Sequence, residues 1–123
     1  MLTFHAKGHA DITALDNRTL SFSTDETVLP CTLGVLSDFD KERLKSFMRH
    51  SFDFFMHIIV GDESVSLHAQ YKDRFDAINV SRVMDIDGFG MASSHSASDI
   101  PRSMITLLQD PAQEVRVHIE KTA

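Results

Sequence analysis

Two stretches of this chain carry the same succession of hydrophobic patterns, and this repetition constrains the fold more than any other feature. The later stretch, residues 89–121, predicts a short strand, an amphipathic helix and a second strand with alternating apolar and polar residues. The earlier stretch, residues 33–60, has the same order of elements in a less regular form. Because the two stretches hold most of the apolar residues, we expect two related β-α-β units that share one core.

The helix of the later stretch has recognisable start signals. Ser98 and Asp99 offer short side-chain acceptors to the free N–H groups of a first turn, and Pro101 suits a position where no donor is needed. Met104 and Leu108 lie one helical turn apart and belong to a single apolar stripe. The pattern predicts a helix that begins near Ser98 and packs one face on the core.

The earlier stretch predicts a matching helix and a longer strand. Asp40 is the predicted N-cap, and Leu44 and Met48 correspond to the apolar pair of the later helix. Residues 52–60 then alternate, with Phe52 at the start of the predicted inward face. Both stretches therefore predict a helix that leads into a half-buried strand.

A third match precedes each stretch and extends the repeat over most of the chain. Residues 4–6 (Phe-His-Ala) resemble residues 67–69 (Leu-His-Ala), and the separation of matched positions stays near sixty residues throughout. We therefore predict one domain, 1–123, with a pseudo-twofold internal repeat of residues 4–60 and 67–121.

The pattern of elements predicts the fold class. Short alternating strands outnumber helices, and the 42% hydrophobic content is ordinary for a globular protein. The expected class is mainly β (α+β). The expected architecture is an antiparallel β-sandwich or barrel-like sheets with two packed helices.

Charge and composition exclude several classes of partner. The net charge of −6 disfavours a general affinity for nucleic acid or anionic lipid. The longest apolar stretch, residues 54–60, is too short to span a bilayer, and the first residues lack the pattern of a signal peptide. The single cysteine, Cys31, cannot form an internal disulfide and suits a reducing compartment. We expect a cytoplasmic protein with no nucleic-acid or membrane partner, and no residue pattern indicates a cofactor.

The chain carries a series of short segments in a fixed order along nearly its whole length: Gly8-His9, Thr19-Leu20-Ser21-Phe22, Cys31 with Gly34-Val35, residues 98–102 and residues 114–120. In these segments it resembles an archaeal family of unknown function, domain-of-unknown-function family 371. The resemblance implies a compact and mostly β fold, two sheets with packed helices, in an archaeal cytosolic protein of no established activity. Asp16 stands where members usually carry a histidine, and Phe39 and His95 replace the usual lysines.

The loop before the later helix is the most site-like segment. Residues 93–96 hold hydroxyls and the His95 imidazole just before a predicted helix N-terminus, where free N–H groups can hold an anion. Capping and turn formation explain the same residues without a function, so both interpretations stay open. No catalytic set and no metal site is predicted. The candidate binding residues are His9, Asp16, His95, Asp99 and Arg102.

Four histidines, His5, His57, His68 and His118, occupy matched positions in the two halves. Neutral imidazoles bind zinc well, but alternation places all four on the polar side of their strands without a close ligand spacing. A hydrogen-bonded surface role is therefore favoured over a metal site. The carboxylates of residues 85–88 similarly favour an ordinary turn over a calcium loop, because the closing glutamate is missing.

A basic stripe follows the earlier helix. Lys41, Lys45 and Arg49 recur at helical spacing, which makes phosphate binding conceivable. Cations late in a helix also suit its dipole, and Asp40 and Glu42 offset the charge, so a solvated helix face is the favoured interpretation.

The sequence supports two hypotheses of function. The first is a non-catalytic domain that binds a small ligand or a protein partner. The alternative is an enzyme that acts on a small anionic substrate in a cleft between the two halves, with His9, Asp16, His95 or Arg102. A homodimer is also open, because an unpaired strand edge or an apolar helix face would need cover.

Overall fold

The computed structural model describes residues 1–73, 75, 77–83 and 88–122. The described part is mainly β with two α-helices, which confirms the predicted fold class. The strands β1 to β8 are Leu2–Lys7, Thr19–Phe22, Thr32–Gly34, Asp53–Val60, Glu63–Tyr71, Ala77–Ser81, Gly88–Met91 and Glu114–Lys121. The helices α1 and α2 are Lys41–Met48 and Arg102–Leu108, and a 3₁₀ turn is Ala97–Asp99.

The strands form one eight-stranded sheet in the order β1-β8-β4-β5-β7-β6-β2-β3. The two end strands also meet, because Lys7 and Val35 exchange both backbone hydrogen bonds at 2.8 Å. The sheet therefore closes on itself, as in the barrel-like alternative. The two-sheet alternative is wrong, and so is a purely antiparallel sheet, because β2–β3 and β6–β7 pair in parallel.

The strand order and the strand pairings of the barrel have pseudo-twofold symmetry between the two halves of the chain. Exchanging β1–β4 with β5–β8 leaves the circular strand order and the sense of every pairing unchanged. The registers agree as well: Phe4 pairs with Val117, and at the matched positions Leu67 pairs with Met56. His57 and His118 pair directly, so the axis passes between them. A duplication as the origin of this symmetry stays a prediction.

The core fills the barrel and the space beneath both helices. Alternate residues of the strands point inward, including Phe4, Phe54 and Phe89, all buried. Leu44 of α1 and Met104 of α2 are fully buried, together with the residues one turn later in each helix. Both amphipathic stripes therefore cover the core as the sequence predicts.

The predicted start is confirmed for α1 and wrong for α2. Asp40 is the N-cap of α1, and its carboxylate accepts hydrogen bonds from two amides of the first turn. The later segment divides: Ser96 and Asp99 form a capping box around the 3₁₀ turn, and α2 begins only after Pro101. The predicted start near Ser98 is wrong because the short turn intervenes.

One aromatic ring departs from the predicted strand pattern. β4 begins at Asp53, so Phe52 lies before the strand and 85% of its surface is exposed. The alternation that places Phe54 inward holds from there to Val60. Phe52 is thus an exposed apolar group near the end of the barrel, and it lines the cleft described below.

Candidate functional site

Two of the predicted site residues attach an irregular segment to the second helix. The Arg102 guanidinium donates to the carbonyls of Thr13 and Ala14, both at 2.9 Å. The backbone carbonyl of Asp16 accepts from the Ser98 amide at 2.9 Å, and its carboxylate accepts two amides of the following turn. These contacts hold the segment between β1 and β2 against the 3₁₀ turn and α2, which is a structural role.

A third predicted residue, Asp99, forms an ion pair with Arg82. The Ser96 amide and the Arg82 guanidinium, each donating to the carboxylate, lower the pKa of Asp99 from 3.8 to about 2. The two remaining predicted residues, His9 and His95, make local contacts. The His9 ring accepts a hydrogen bond from the Asp11 amide at 3.0 Å, and the His95 ring is hydrogen-bonded to the neighbouring Ser94 hydroxyl at 2.8 Å.

The five predicted residues therefore make separate contacts. Asp16, Asp99 and Arg102 lie around the same 3₁₀ turn but bond to separate protein groups, and His9 and His95 bond within their own loops. The clefts described below are lined by other residues. This arrangement favours turn formation and capping over a shared binding site.

The Asp99 ion pair predicts a specific acid sensitivity. The pKa of Asp99 in the fold lies below its value in the unfolded chain, so its stabilising contribution is complete above about pH 4 and is lost as the pH falls toward 2. We expect Asp99→Asn to flatten the pH dependence of stability in this window, and Arg82→Gln to flatten it in part. Urea unfolding at intervals from pH 2 to 6 measures this slope. Equal slopes for the wild type and Asp99→Asn would rule out the contribution.

The four matched histidines share the outer face of strands β1, β8, β4 and β5, as predicted. Each ring bonds or pairs with a neighbour: His5 lies 3.4 Å from Asp38, and His68 lies 3.4 Å from Asp53. The described part of the chain contains no group of three or more potential ligands arranged to hold a metal ion. The predicted turn at residues 85–88 lies, except for its glycine, outside the described residues.

The central pair of this face is electrostatically coupled. Partial burial, and then the nearby cations of Arg116, His57 and His5, lower the pKa of His118. His118 and His57 are direct cross-strand neighbours, so a charge on the His57 ring disfavours protonation of His118.

The largest cleft described in the structure lies between the two halves of the chain. It has a volume of about 720 Å³, which is in the range of small-molecule sites. One wall is α1 and the residues that follow it, and the other is the end of β5 with the residues beyond it. Its lining is Glu42, Lys45, Ser46, Arg49, His50, Ser51, Phe52, Tyr71, Lys72, Asp73 and Met91.

The charges on the α1 wall of this cleft are opposite in sign to the protein as a whole. Lys45 and Arg49 contribute two positive charges there against the one carboxylate of Glu42, in a chain of net charge −6. The carbonyl end of α1 adds about half a negative charge, less than the excess of cations. The cleft therefore favours an anion.

The Tyr71 ring lines the cleft and packs on further aromatic rings. Tyr71 contacts the rings of Phe75 and Phe89, with centroids 6.3 and 5.5 Å away. The Lys45 ammonium lies 5.7 Å from the centroid of the Phe75 ring. Burial, and then the Asp73 carboxylate, raise the pKa of Tyr71, so the phenol is neutral and can donate a hydrogen bond.

A second, smaller cavity of about 200 Å³ continues from the cleft. It shares Phe52, Tyr71 and Met91 with the larger cleft and adds Asp53 and Gln70 from the ends of the strands. The cleft thus has a charged part along α1 and an apolar part around Phe52 and Met91. The polar side chains of Asp53 and Gln70 lie in the smaller cavity.

Comparisons with known proteins do not name this site. No protein-family model matches the chain, and no curated protein matches it. The resemblance to family 371 therefore stays a prediction. Within the residues that the structure describes, no helix has the length and apolar character needed to cross a membrane.

The sequence indicated only part of this cleft. The basic stripe of α1 was recognised from its spacing, although a solvated face was the favoured interpretation. Tyr71, Lys72 and Met91 carried no signal, because they reach the cleft only when β5 and β7 are placed beside α1 by the barrel.

Proposed function

We propose that this chain is a binding domain for a small anionic ligand with an apolar group, held in the cleft between α1 and the end of β5. The observation that carries the proposal is the excess of cations beside exposed aromatic surface in an acidic protein. The anionic group would lie near Arg49 and Lys45, and the apolar group against Phe52 and Met91.

The geometry favours binding over catalysis in this cleft. The residues expected for an enzyme, His9, Asp16, His95 and Arg102, are absent from its lining. In the described part of the chain, the serine hydroxyls of the cleft, on Ser46 and Ser51, have no hydrogen bond to a ring nitrogen of His50. A nucleophile without a base in reach is poorly activated, so the non-catalytic hypothesis accounts better for these residues.

The ligand's charge can be tested with a matched pair of substitutions on one helix. Arg49 lines the cleft and Arg43 does not, although both are exposed cations of the α1 segment. The probe is 8-anilinonaphthalene-1-sulfonate, which joins a sulfonate to an aromatic system. We expect Arg49→Glu to weaken its binding about tenfold, about 1.4 kcal/mol, and Arg43→Glu to change it less than twofold. Fluorescence titration measures both affinities.

A second matched pair tests the apolar part. Phe52 lines the cleft, whereas Phe55 is a partly exposed ring on the outer face of the barrel. We expect Phe52→Ala to weaken the probe several-fold and Phe55→Ala to leave it unchanged. Equal effects of Arg49→Glu and Arg43→Glu, or of the two phenylalanine changes, would show that the probe binds elsewhere and contradict the proposal.

Other expectations accompany this proposal and rest on the sequence. They are a cytoplasmic location, membership of the archaeal family 371, and self-association into a dimer. Light scattering of the purified protein tests the last of these directly.

A further inference from the structure

A serine, a histidine and a glutamate are hydrogen-bonded in series on the outer face of the barrel, away from the cleft. The Ser66 hydroxyl on β5 lies 2.6 Å from Nδ1 of His57 on β4. Nε2 of the same ring lies 2.9 Å from the carboxylate of Glu120 on β8. Three adjacent strands thus supply a hydroxyl, a base and an acid in contact.

The barrel register brings these side chains together. Ser66 lies directly opposite His57 in the β4–β5 pairing, and His57 lies opposite His118 in the β4–β8 pairing. Glu120 is two residues beyond His118 on the same strand, so its side chain points to the same face. All three positions lie within regular strands, which restrict their movement more than a loop would.

We propose that Ser66 is an activated nucleophile that accepts acyl groups from small esters, with His57 as the base and Glu120 as a positioning residue. The Glu120 carboxylate accepts Nε2–H and so leaves Nδ1 free to accept the proton of the Ser66 hydroxyl. A nucleophile bonded to a base, which a third group orients, is the arrangement of serine hydrolases, recognised by geometry rather than by order in the chain.

The two halves of the barrel provide an internal comparison. Thr3 and His118 are bonded at 2.7 Å at the positions that match Ser66 and His57. The position that corresponds to Glu120 in the other half is occupied by Ile59, so this second pair has no acidic residue. Partial burial, and then Arg116 and the neighbouring imidazoles, lower the pKa of His118, which makes it a weaker base. Only the Ser66 group has all three parts.

The site is open to substrate. Ser66 is exposed, and the His57 side chain keeps 28% of its surface accessible. The Phe55 ring lies stacked with the His57 ring, with centroids 6.3 Å apart, and offers apolar contact to the acyl or leaving group. Because an open face does not exclude water, we expect modest rates and small, reactive esters as substrates.

The reaction would proceed in two steps. The Ser66 oxygen attacks the ester carbonyl while its proton moves to Nδ1 of His57, and the C–O bond to the leaving group breaks. The alcohol or phenol departs with that proton, and the acyl group remains as a serine ester. Water then attacks this ester with His57 again as the base, which releases the carboxylic acid and restores the hydroxyl.

The test follows labelling of the whole protein by a fluorophosphonate and release of p-nitrophenol from p-nitrophenyl acetate. We expect one adduct, at Ser66, and its loss in Ser66→Ala. Ser64→Ala is the matched control, because Ser64 is an exposed serine on the same face of β5 but lies opposite Ile59. We expect His57→Gln to slow labelling by ~10²-fold, the lower range for general base catalysis, and Ser64→Ala to leave it unchanged.

The role of Glu120 has a separate readout. Glu120→Gln should shift the pH profile of labelling, and Glu120→Asp should restore most of the rate, whereas loss of a purely structural contact would leave the profile in place. Labelling of Ser66 and binding of the anilinonaphthalene probe in the cleft are separate readouts, so the failure of one proposal is distinguishable from the failure of the other.

Several results would overturn this inference. Equal labelling of Ser64 and Ser66, or labelling of Ser66 that is unchanged in His57→Gln, would show that the hydroxyl is not activated. If His57→Gln unfolds, the Glu120 profile decides, because Glu120 is exposed at the barrel surface and its amide is nearly the same shape.

Discussion

A Gly8→Ala substitution is expected to lower the free energy of unfolding by roughly 3–5 kcal/mol. The methyl group would fall far inside van der Waals contact with the backbone carbonyl oxygens of Leu108 and Asp110. Both belong to the end of α2 and the turn after it. Backbone atoms cannot rotate away as a side chain can, so the segment itself must move.

Movement of this segment would break two hydrogen bonds that join the residues just after β1 to the second half. The Gly8 amide donates to the Gln113 carbonyl at 2.9 Å, and the His9 amide donates to the Leu108 carbonyl at 2.8 Å. Leaving buried backbone groups without partners costs more than the bonds contribute, which places the estimate above ordinary overpacking.

Gly61→Ala is the matched control for this prediction. Gly61 has a positive φ of 59°, but the nearest atom to its added methyl is Leu107 Cδ1, at 3.7 Å. We expect a loss of about 1 kcal/mol from the left-handed conformation alone. Urea unfolding of both variants measures the difference. A Gly8→Ala variant no less stable than Gly61→Ala would contradict the packing argument.

The elements of the fold could be predicted because their signals are local. Asp40 was identified as an N-cap from its place before the apolar stripe, and the structure shows its carboxylate on two first-turn amides. The pairs Leu44 and Met48, and Met104 and Leu108, are buried as helical periodicity requires. Each of these inferences needs only a few neighbouring residues.

The closure of the barrel could not be predicted in the same way. Parallel pairing of β2 with β3 depends on where the chain runs between them, and alternation looks the same in either direction. The bridge between Lys7 and Val35 joins residues far apart in sequence, and nothing local marks either one. Sequence periodicity therefore identified the strands but not the mixed order of the sheet.

The candidate sites were missed for the same reason. The loop around His95 and Asp99 attracted attention because its polar residues are adjacent in sequence, and in the structure those residues mostly cap and brace one another. Ser66, His57 and Glu120 carried no joint signal, because only the registers of two strand pairs place them in contact.

The fold predicts an energetic coupling between the residues at positions 90 and 54, Gly90 and Phe54. A methyl group added at Gly90 would lie 2.8 Å from Phe54 Cζ and 3.3 Å from Ala69 Cβ. The Phe54 ring is fully buried and packs 4.8 Å from the Phe89 ring, so it has little room to yield. We expect Gly90→Ala alone to cost roughly 2–3 kcal/mol through overpacking.

Shortening the ring should relieve most of this cost. Phe54→Leu removes the atom that the new methyl would meet, at a cost of roughly 1–2 kcal/mol for the cavity that it leaves. The added methyl fills part of that cavity, so the double variant should be more stable than additivity predicts by about 1 kcal/mol or more. Urea unfolding of the wild type, both single variants and the double variant gives the coupling energy.

The matched position in the other half supplies the control. A methyl group at Gly34 would meet the Ala6 Cβ at 2.9 Å and Phe22 Cδ1 at 3.3 Å, and neither atom belongs to Phe54. Gly34→Ala should therefore be destabilising and additive with Phe54→Leu. Additive effects in both pairs would mean that the Phe54 ring moves aside freely, and the close packing of β7 on β4 and β5 would not limit the residue at position 90.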